Sequence, residues 1–200
     1  MQRARFDAAV ETLAALGLRG ARRHAANSAA LLRDRRTWDE WVRPGLLLYG
    51  IVPPPLNAST LALRPALSLA SRIVAVKGLR PGEGTGYGLR WTPETPRAIA
   101  IVPAGYADGL DTRLANRACV LVRGRRMPIV GSVCMDMMMI DVTGLDVEPG
   151  DEVVIIGRQG DEEITAREIA AAIGAIPWEV LCRLGSRIER RYDDERSSGD

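Results

Sequence analysis

Lysine is almost absent from this sequence, and arginine carries nearly all of its positive charge. Of 27 basic residues only Lys77 is a lysine, and 25 acidic residues leave a formal net charge of +2. The arginines are scattered among the acids, which argues against a basic nucleic-acid-binding face. Aromatic residues make up only 4%, so the sequence offers no row of rings on which bases could stack. We therefore expect no nucleic-acid partner.

Cysteine and histidine are few, and long apolar runs are missing. The cysteines, Cys119, Cys134 and Cys182, are odd in number and have no paired spacing, which favours free thiols in a reducing compartment. One histidine and no CxxC motif argue against a zinc site. No apolar run is long enough to span a membrane, and the first 20 residues resemble a helix rather than a signal peptide. A cytoplasmic protein that does not bind a membrane is expected.

The first quarter of the chain has an α/β rhythm that ends in a proline-rich stretch. Apolar residues at roughly helical spacing predict an amphipathic helix that ends near Gly17, followed by a strand and a helical turn around Ser28. Residues 53–60 break all periodicity. One strand flanked by helices cannot bury a parallel sheet alone, so this piece is expected to be the end of something longer.

Beyond the prolines, short strand candidates bounded by Gly, Pro or Asp predict an all-β barrel or sandwich. A capping box at residues 165–168 predicts a helix at residues 166–173 that stops at Gly174, and Pro177 favours a second helix. Residues 187–192 are a candidate for the last strand. The other strand candidates are residues 67–76, 97–102, 118–122, 127–130, 137–142 and 152–156.

Four local clusters stand out, although each one alone has a structural explanation. An Asn-Ser pair after a strand is most often a helix cap, Arg-Pro-Gly is a common turn, and Cys-Met-Asp packs well in a core. A single short motif of this kind does not establish a function. The clusters are HAANS at residues 24–28, VRPG at 42–45, GYADG at 105–109 and VGSVCMD at 130–136.

Together and in this order, the clusters resemble the alanine racemase family. That family's pattern is HxANSAA, RxGxxxYG, GYxDG, VGxxCMD and a final CRxGxRxxR, and the resemblance extends over nearly all of residues 1–192. The resemblance implies that the chain begins with an α/β barrel remnant, which is the end of a PLP-binding (β/α)8 barrel. The family's mainly-β C-terminal domain would follow it. The matching stretches here are residues 24–30, 43–50, 105–109, 130–136 and 182–190.

The resemblance also implies a domain organisation. Residues 1–55 would be the C-terminal remnant of the barrel and residues 63–192 the β domain. Residues 56–62 would link them, and residues 193–200, which are polar, would form a disordered tail.

The activity implied by the resemblance is the PLP-dependent interconversion of L-alanine and D-alanine, which supplies peptidoglycan precursors. Ser28 would offer its hydroxyl to the PLP phosphate, and the backbones of Gly45 and Leu46 would add N–H donors. Arg43 matches the arginine that faces the pyridine nitrogen. Because a guanidinium stays protonated and has no acceptor, it would leave that nitrogen unprotonated and the ring a weaker electron sink.

Tyr106 matches one of the two bases of the racemase, which in the family reaches across a homodimer into a shared active site. Met135 matches a residue whose backbone contacts the substrate carboxylate from the partner side. The second base is the PLP lysine, which in the family lies in an earlier barrel strand, and Lys77 does not match it. The resemblance therefore implies the C-terminal portion of a racemase, without the PLP lysine and inactive by itself.

Two alternatives stay open at this point. A non-catalytic dimerisation or binding module could keep the racemase fold. A racemase for serine or another amino acid is the second. Ser186 stands where the family often has a tyrosine or a small residue, and Glu189 stands where it often has a proline. A tyrosine at the first position can shape the entrance to the site, so the geometry of the entrance stays open.

Overall fold

A computed structural model describes residues 1–56 and 61–192 of the chain. The chain divides into two compact units, Met1–Ala66 and Leu67–Asp200. Part of the predicted linker at residues 56–62 and the whole predicted tail at residues 193–200 lie outside the described residues. No helix within the two described ranges is long and apolar enough to cross a membrane.

The first unit begins with a helix and continues with two short strands, each followed directly by a helix. The strands β1 and β2 pair in parallel, with Asn27 opposite Arg43. A helix and a 3₁₀ turn connect them, as parallel pairing requires a crossover. The elements are α1 (Gln2–Ala15), β1 (His24–Asn27), α2 (Ser28–Arg33), β2 (Trp41–Arg43) and α3 (Gly45–Leu48).

Two sequence predictions for this unit need correction. The helix α1 is confirmed, but its predicted apolar face is not, because no residue of α1 is buried. Instead, Arg3 pairs with Asp7 on the same helix and with Asp39 beside β2, each at 2.9 Å. The strand predicted before Ser28 is confirmed as β1, but the prediction of only one strand is wrong, because Trp41–Arg43 form a second one. That segment lacks any alternating pattern, so only its pairing with β1 marks it as a strand.

The second unit is a mainly-β domain with two helices near its end. The structure confirms the helix that the sequence predicts at residues 166–173. The Thr165 side chain caps its N-terminus, and Gly174 adopts a left-handed conformation at its end. The elements are β3 (Leu69–Arg72), β4 (Ala75–Leu79), β5 (Arg97–Val102), β6 (Cys119–Val122), β7 (Arg125–Val130), β8 (Met138–Asp141), β9 (Glu152–Gln159), β10 (Glu162–Ile164), α4 (Ala166–Ile173) and α5 (Pro177–Arg183).

A bent segment closes the sheet of this domain. The strands run in the order β10-β9-β6-β7-β8-β5-β4, and at the β9 end of the sheet β3 also pairs with β9. Only Ile73 and Val74 separate β3 from β4, and their N–H groups donate to Asp151 and Ile101 on either side, both at 2.9 Å. The strand predicted at residues 67–76 is therefore two strands, and their bend joins the two ends of the sheet into a barrel.

Aliphatic side chains from the strands fill the barrel. Val102, Leu121, Ile140 and Val153 are completely buried. Strands β6, β8 and β9 each bury three or four consecutive residues, so side chains on both faces of these strands are covered. The last predicted strand, at residues 187–192, is wrong: this stretch forms a turn followed by irregular chain. Its Arg187 side chain pairs with two loops of the domain instead.

Candidate active site

Tyr106 lies on a tight loop between β5 and β6. It begins a 3₁₀ turn, Tyr106–Asp108, in which the N–H of Gly105 donates to Oδ2 of Asp108 at 2.9 Å. Gly109 ends the turn with a φ of 100°, a value that favours glycine. Because 51% of the Tyr106 surface is exposed, its phenol is accessible to a ligand.

The Tyr106 loop is bonded to the loop that carries Met135. The N–H of Tyr106 donates to the carbonyl oxygen of Cys134 at 2.9 Å, and the N–H of Ala107 donates to that of Met135 at 3.0 Å. A Cβ at Gly105 would lie 2.3 Å from the carbonyl oxygens of both Cys134 and Met135, so only glycine allows this approach. The structure thus brings together two residues that the sequence motifs identify separately.

Arg187 contacts both of these loops. Its Nη2 donates to Oδ1 of Asp136 at 2.8 Å, and its Nε lies 3.5 Å from Oδ1 of Asp108. The hydrogen bond to Asp136 and the charge of Asp108 raise the pKa of the Arg187 guanidinium. The sequence motif CRxGxRxxR includes this arginine, but nothing in the motif indicates which residues it binds.

A second ion-pair group holds the far end of the Tyr106 loop. Asp111 pairs with Arg113 at 2.8 Å and with Arg183 on α5. The hydrogen bond from Arg113, with a further one from Arg183, keeps the pKa of Asp111 well below its usual range. Gly109 packs against α5 as well, since a Cβ there would lie 2.3 Å from the carbonyl oxygen of Arg183. Sequence reasoning missed this group, because its members come from distant motifs.

In the first unit, Ser28 stands where β1 turns into α2. The side chain of Asn27 caps α2 by accepting from the N–H of Ala30 at 3.0 Å. Ser28 is 5% exposed, and its Oγ accepts from the N–H of Leu47 on α3 at 3.4 Å. This contact sets the first turns of α2 and α3 side by side and leaves the Ser28 hydroxyl proton available to an acceptor.

The other three predicted cofactor residues lie in the same neighbourhood. Arg43 ends β2, and its Nη2 donates to the carbonyl oxygen of Ala25 on β1 at 3.2 Å. Gly45 and Leu46 begin α3, and within residues 1–56 and 61–192 their N–H groups have no acceptor. A Cβ built on Gly45 would meet no atom within 4 Å, so there is open space beside these donors.

This arrangement fits the phosphate end of PLP. A hydroxyl, two unbonded N–H groups and a guanidinium are the donors that a phosphate or a ring nitrogen would use, and they gather at the carboxyl ends of two parallel strands. The sequence has no lysine in this unit, since Lys77 lies on β4 of the barrel, where it is exposed and pairs with Ile99. The residues present therefore fit non-covalent contacts to the cofactor.

Comparison with known proteins gives the same architecture. Residues 66–192 match the family model of the alanine racemase C-terminal domain, and residues 1–53 match that of the N-terminal domain. The alanine racemase of Symbiobacterium thermophilum is 46% identical over 196 residues, which cover 98% of this chain and 52% of that protein. The chain spans about half the length of the curated relatives it matches.

Solved structures agree with the sequence matches. Alanine racemase from Streptomyces coelicolor superposes with a TM-score of 0.91 at 36% identity, over 96% of this chain and 51% of that one. Alanine racemase from Bacillus anthracis with bound L-Ala-P superposes with a TM-score of 0.87 at 38% identity, over 94% and 48% of the two chains.

The short end of an N-terminal barrel domain followed by a mainly-β domain is the architecture of PLP-dependent isomerases of the racemase type. The chain belongs to the alanine racemase family. The expected fold class is thereby confirmed.

Proposed function

We propose that these residues form part of a PLP-dependent alanine racemase that interconverts L-alanine and D-alanine and so supplies peptidoglycan precursors. The observation that carries the proposal is the hydrogen bonding of the Tyr106 loop to the Met135 loop, which holds Tyr106 beside Met135 with both residues half exposed. Neither feature is needed to fill the barrel core, because both side chains lie outside it.

The first unit would hold the cofactor. The Ser28 hydroxyl and the N–H groups of Gly45 and Leu46 would donate to the phosphate, and Arg43 would donate to the pyridine nitrogen. PLP, when bound, supplies an electron sink that makes the substrate Cα–H acidic. The hydrogen bond from Arg43 to the carbonyl oxygen of Ala25 would hold the guanidinium in place relative to β1, so that it can orient the pyridine ring of PLP.

Tyr106 would act as the base for one face of the substrate Cα. A free phenol has a pKa of about 10, so a nearby cation has to stabilise the phenolate for the residue to accept a proton near neutral pH. As the resemblance implies, Tyr106 would serve the cofactor site of a second copy, which makes a homodimer with shared sites part of the proposal.

Met135 would bind the substrate carboxylate through its backbone. Its carbonyl oxygen already accepts from Ala107, and within residues 1–56 and 61–192 its N–H has no acceptor. The free N–H is the group that a carboxylate needs. The same hydrogen bond that joins the two loops would therefore also direct Met135 toward the substrate.

The base for the opposite face would come from a lysine outside these 200 residues. Lys77, the one lysine of the sequence, belongs to strand β4 of the second unit, and the first unit contains no lysine. We therefore propose that the chain by itself does not racemise alanine.

A chimera tests the proposed function. The part of the Symbiobacterium thermophilum racemase that this chain does not match is fused ahead of Met1, and the relative's own full-length enzyme serves as the positive control. We expect PLP binding and racemisation of alanine that Tyr106→Phe abolishes. A folded, PLP-bound but inactive chimera would contradict the proposal and favour the non-catalytic module, and faster turnover of serine than of alanine would favour the other racemase.

A further inference from the structure

Arg187 is the one arginine of the final motif whose side chain reaches both site loops. It lies after α5, yet its two contacts are with Asp108 in the Tyr106 loop and Asp136 next to Met135. Other exposed arginines of the barrel also bind distant carboxylates, as Arg126 binds Glu168, but the two partners of Arg187 lie within two residues of Tyr106 and Met135. Arginine suits such a bridge, because the N–H donors of its planar guanidinium point in different directions and can bind two carboxylates at once.

We propose that Arg187 is a positioning residue that holds the Tyr106 loop against the Met135 loop by bridging Asp108 and Asp136. Without the guanidinium, two carboxylates on adjoining loops would face each other and repel. The inference rests on the proposed function only for the roles of Tyr106 and Met135. The bridge itself can be tested without cofactor or substrate.

Two sets of backbone hydrogen bonds distinguish this role of Arg187 from a general effect on folding: those between the two loops and those within the Tyr106 turn. The N–H groups of Tyr106 and Ala107 donate to the opposite loop, at 2.9 and 3.0 Å. The N–H of Asp108 donates within its own loop, to the carbonyl oxygen of Gly105 at 3.0 Å. Asp108 also holds Gly105 through its side chain, so the internal shape of the turn does not depend on Arg187. Loss of the bridge should therefore loosen the bonds between the loops and not those within the turn.

The test measures amide hydrogen exchange residue by residue by NMR in the 200-residue chain. Arg187→Gln should speed exchange at Tyr106 and Ala107 by roughly 3- to 10-fold, the range expected for loss of an exposed charge network, and leave Asp108 unchanged. Arg158→Gln, which removes the exposed ion pair of Arg158 with Glu163 in the same domain, should leave all three amides unchanged.

Two further variants complete the test. Arg187→Lys keeps the charge but not the planar fork, so its exchange rates should lie between those of the wild type and Arg187→Gln. Asp136→Asn decides the question if Arg187→Gln does not fold, and should speed exchange at Ala107 in the same way. In chain labelled with 3-fluorotyrosine, the Tyr106 resonance, assigned through Tyr106→Phe, should shift in Arg187→Gln while those of the other tyrosines stay in place.

Unchanged exchange at Ala107 would overturn the proposal, and so would an acceleration shared equally with Asp108 and the barrel strands. Because no measurement uses PLP or alanine, failure of the bridge and failure of the racemase proposal are distinguishable. An inactive chimera with a normal Arg187 effect would refute only the function.

Discussion

The N–H of Ala107 donates to the carbonyl oxygen of Met135 across 3.0 Å, so the loop after β5 and the loop before β8 form one surface of the barrel. The two backbones can come this close because the residue before Tyr106 is a glycine, Gly105. Tyr106 is consequently held by main-chain bonds and not by packing of its own ring, which stays half exposed.

Replacing this glycine should separate the loops. In Gly105→Ala, the new Cβ would lie 2.3 Å from two carbonyl oxygens that belong to backbone, so the loops have to move apart. We expect a loss of about 1–3 kcal/mol in the free energy of unfolding, measured by urea denaturation. Gly78→Ala on β4 is the matched control, because a Cβ there meets nothing within 4 Å, and it should cost less than about 0.5 kcal/mol. Equal losses in the two variants would contradict the close approach.

Removal of the phenol should affect the two alanine enantiomers unequally. In the chimera, Tyr106→Phe removes the base from one face of the substrate Cα and leaves the lysine on the other. We expect exchange of the Cα hydrogen with solvent deuterium to fall by roughly 100-fold or more for one enantiomer and by much less for the other. Proton NMR follows both exchanges, and equal slowing would show that Tyr106 is not a base specific to one face.

The ion pairs of Asp111 should make stability depend on acid pH. Its pKa in the folded chain lies below the unfolded value, so the pairs stabilise the fold above about pH 4 and this contribution disappears as the pH falls through the folded pKa. Asp111→Asn should cost about 1–2 kcal/mol at pH 7, and the difference from the wild type should shrink toward pH 2. The control is Asp161→Asn, at an exposed residue without an ion pair among the described residues. A difference that stays constant between pH 7 and pH 2 would contradict this linkage.

The chain alone should not racemise alanine, and PLP should not attach to it specifically. Lys77 is exposed on strand β4 of the second unit, whereas the residues that fit a phosphate belong to the first unit, which contains no lysine. Mixed with PLP and either enantiomer, the purified chain should leave optical activity unchanged over hours. After borohydride reduction, mass spectrometry should find less than about one label in ten chains at Lys77. Racemisation that Lys77→Ala abolishes would show that the chain is an enzyme without any added lysine.

Two kinds of feature could be predicted from the sequence. Elements with local signals, such as the helix between Thr165 and Gly174 and the strand at Arg97–Val102, were placed correctly, because helix caps and the turn residues that bound a strand involve only neighbouring residues. The motifs around Ser28, Arg43, Tyr106 and Met135 identified the family and assigned roles to these residues, which stay predictions.

The sequence by itself therefore determined the family, the mainly-β nature of the second unit and the residues worth testing. Only the tertiary structure decided that β2 pairs with β1, that the bend at Ile73 closes the barrel, and that Arg187 bridges Asp108 and Asp136. Each of these contacts joins residues far apart in the chain. Their pairing depends on how the whole barrel closes and where its loops meet, and no local pattern of side chains encodes that geometry.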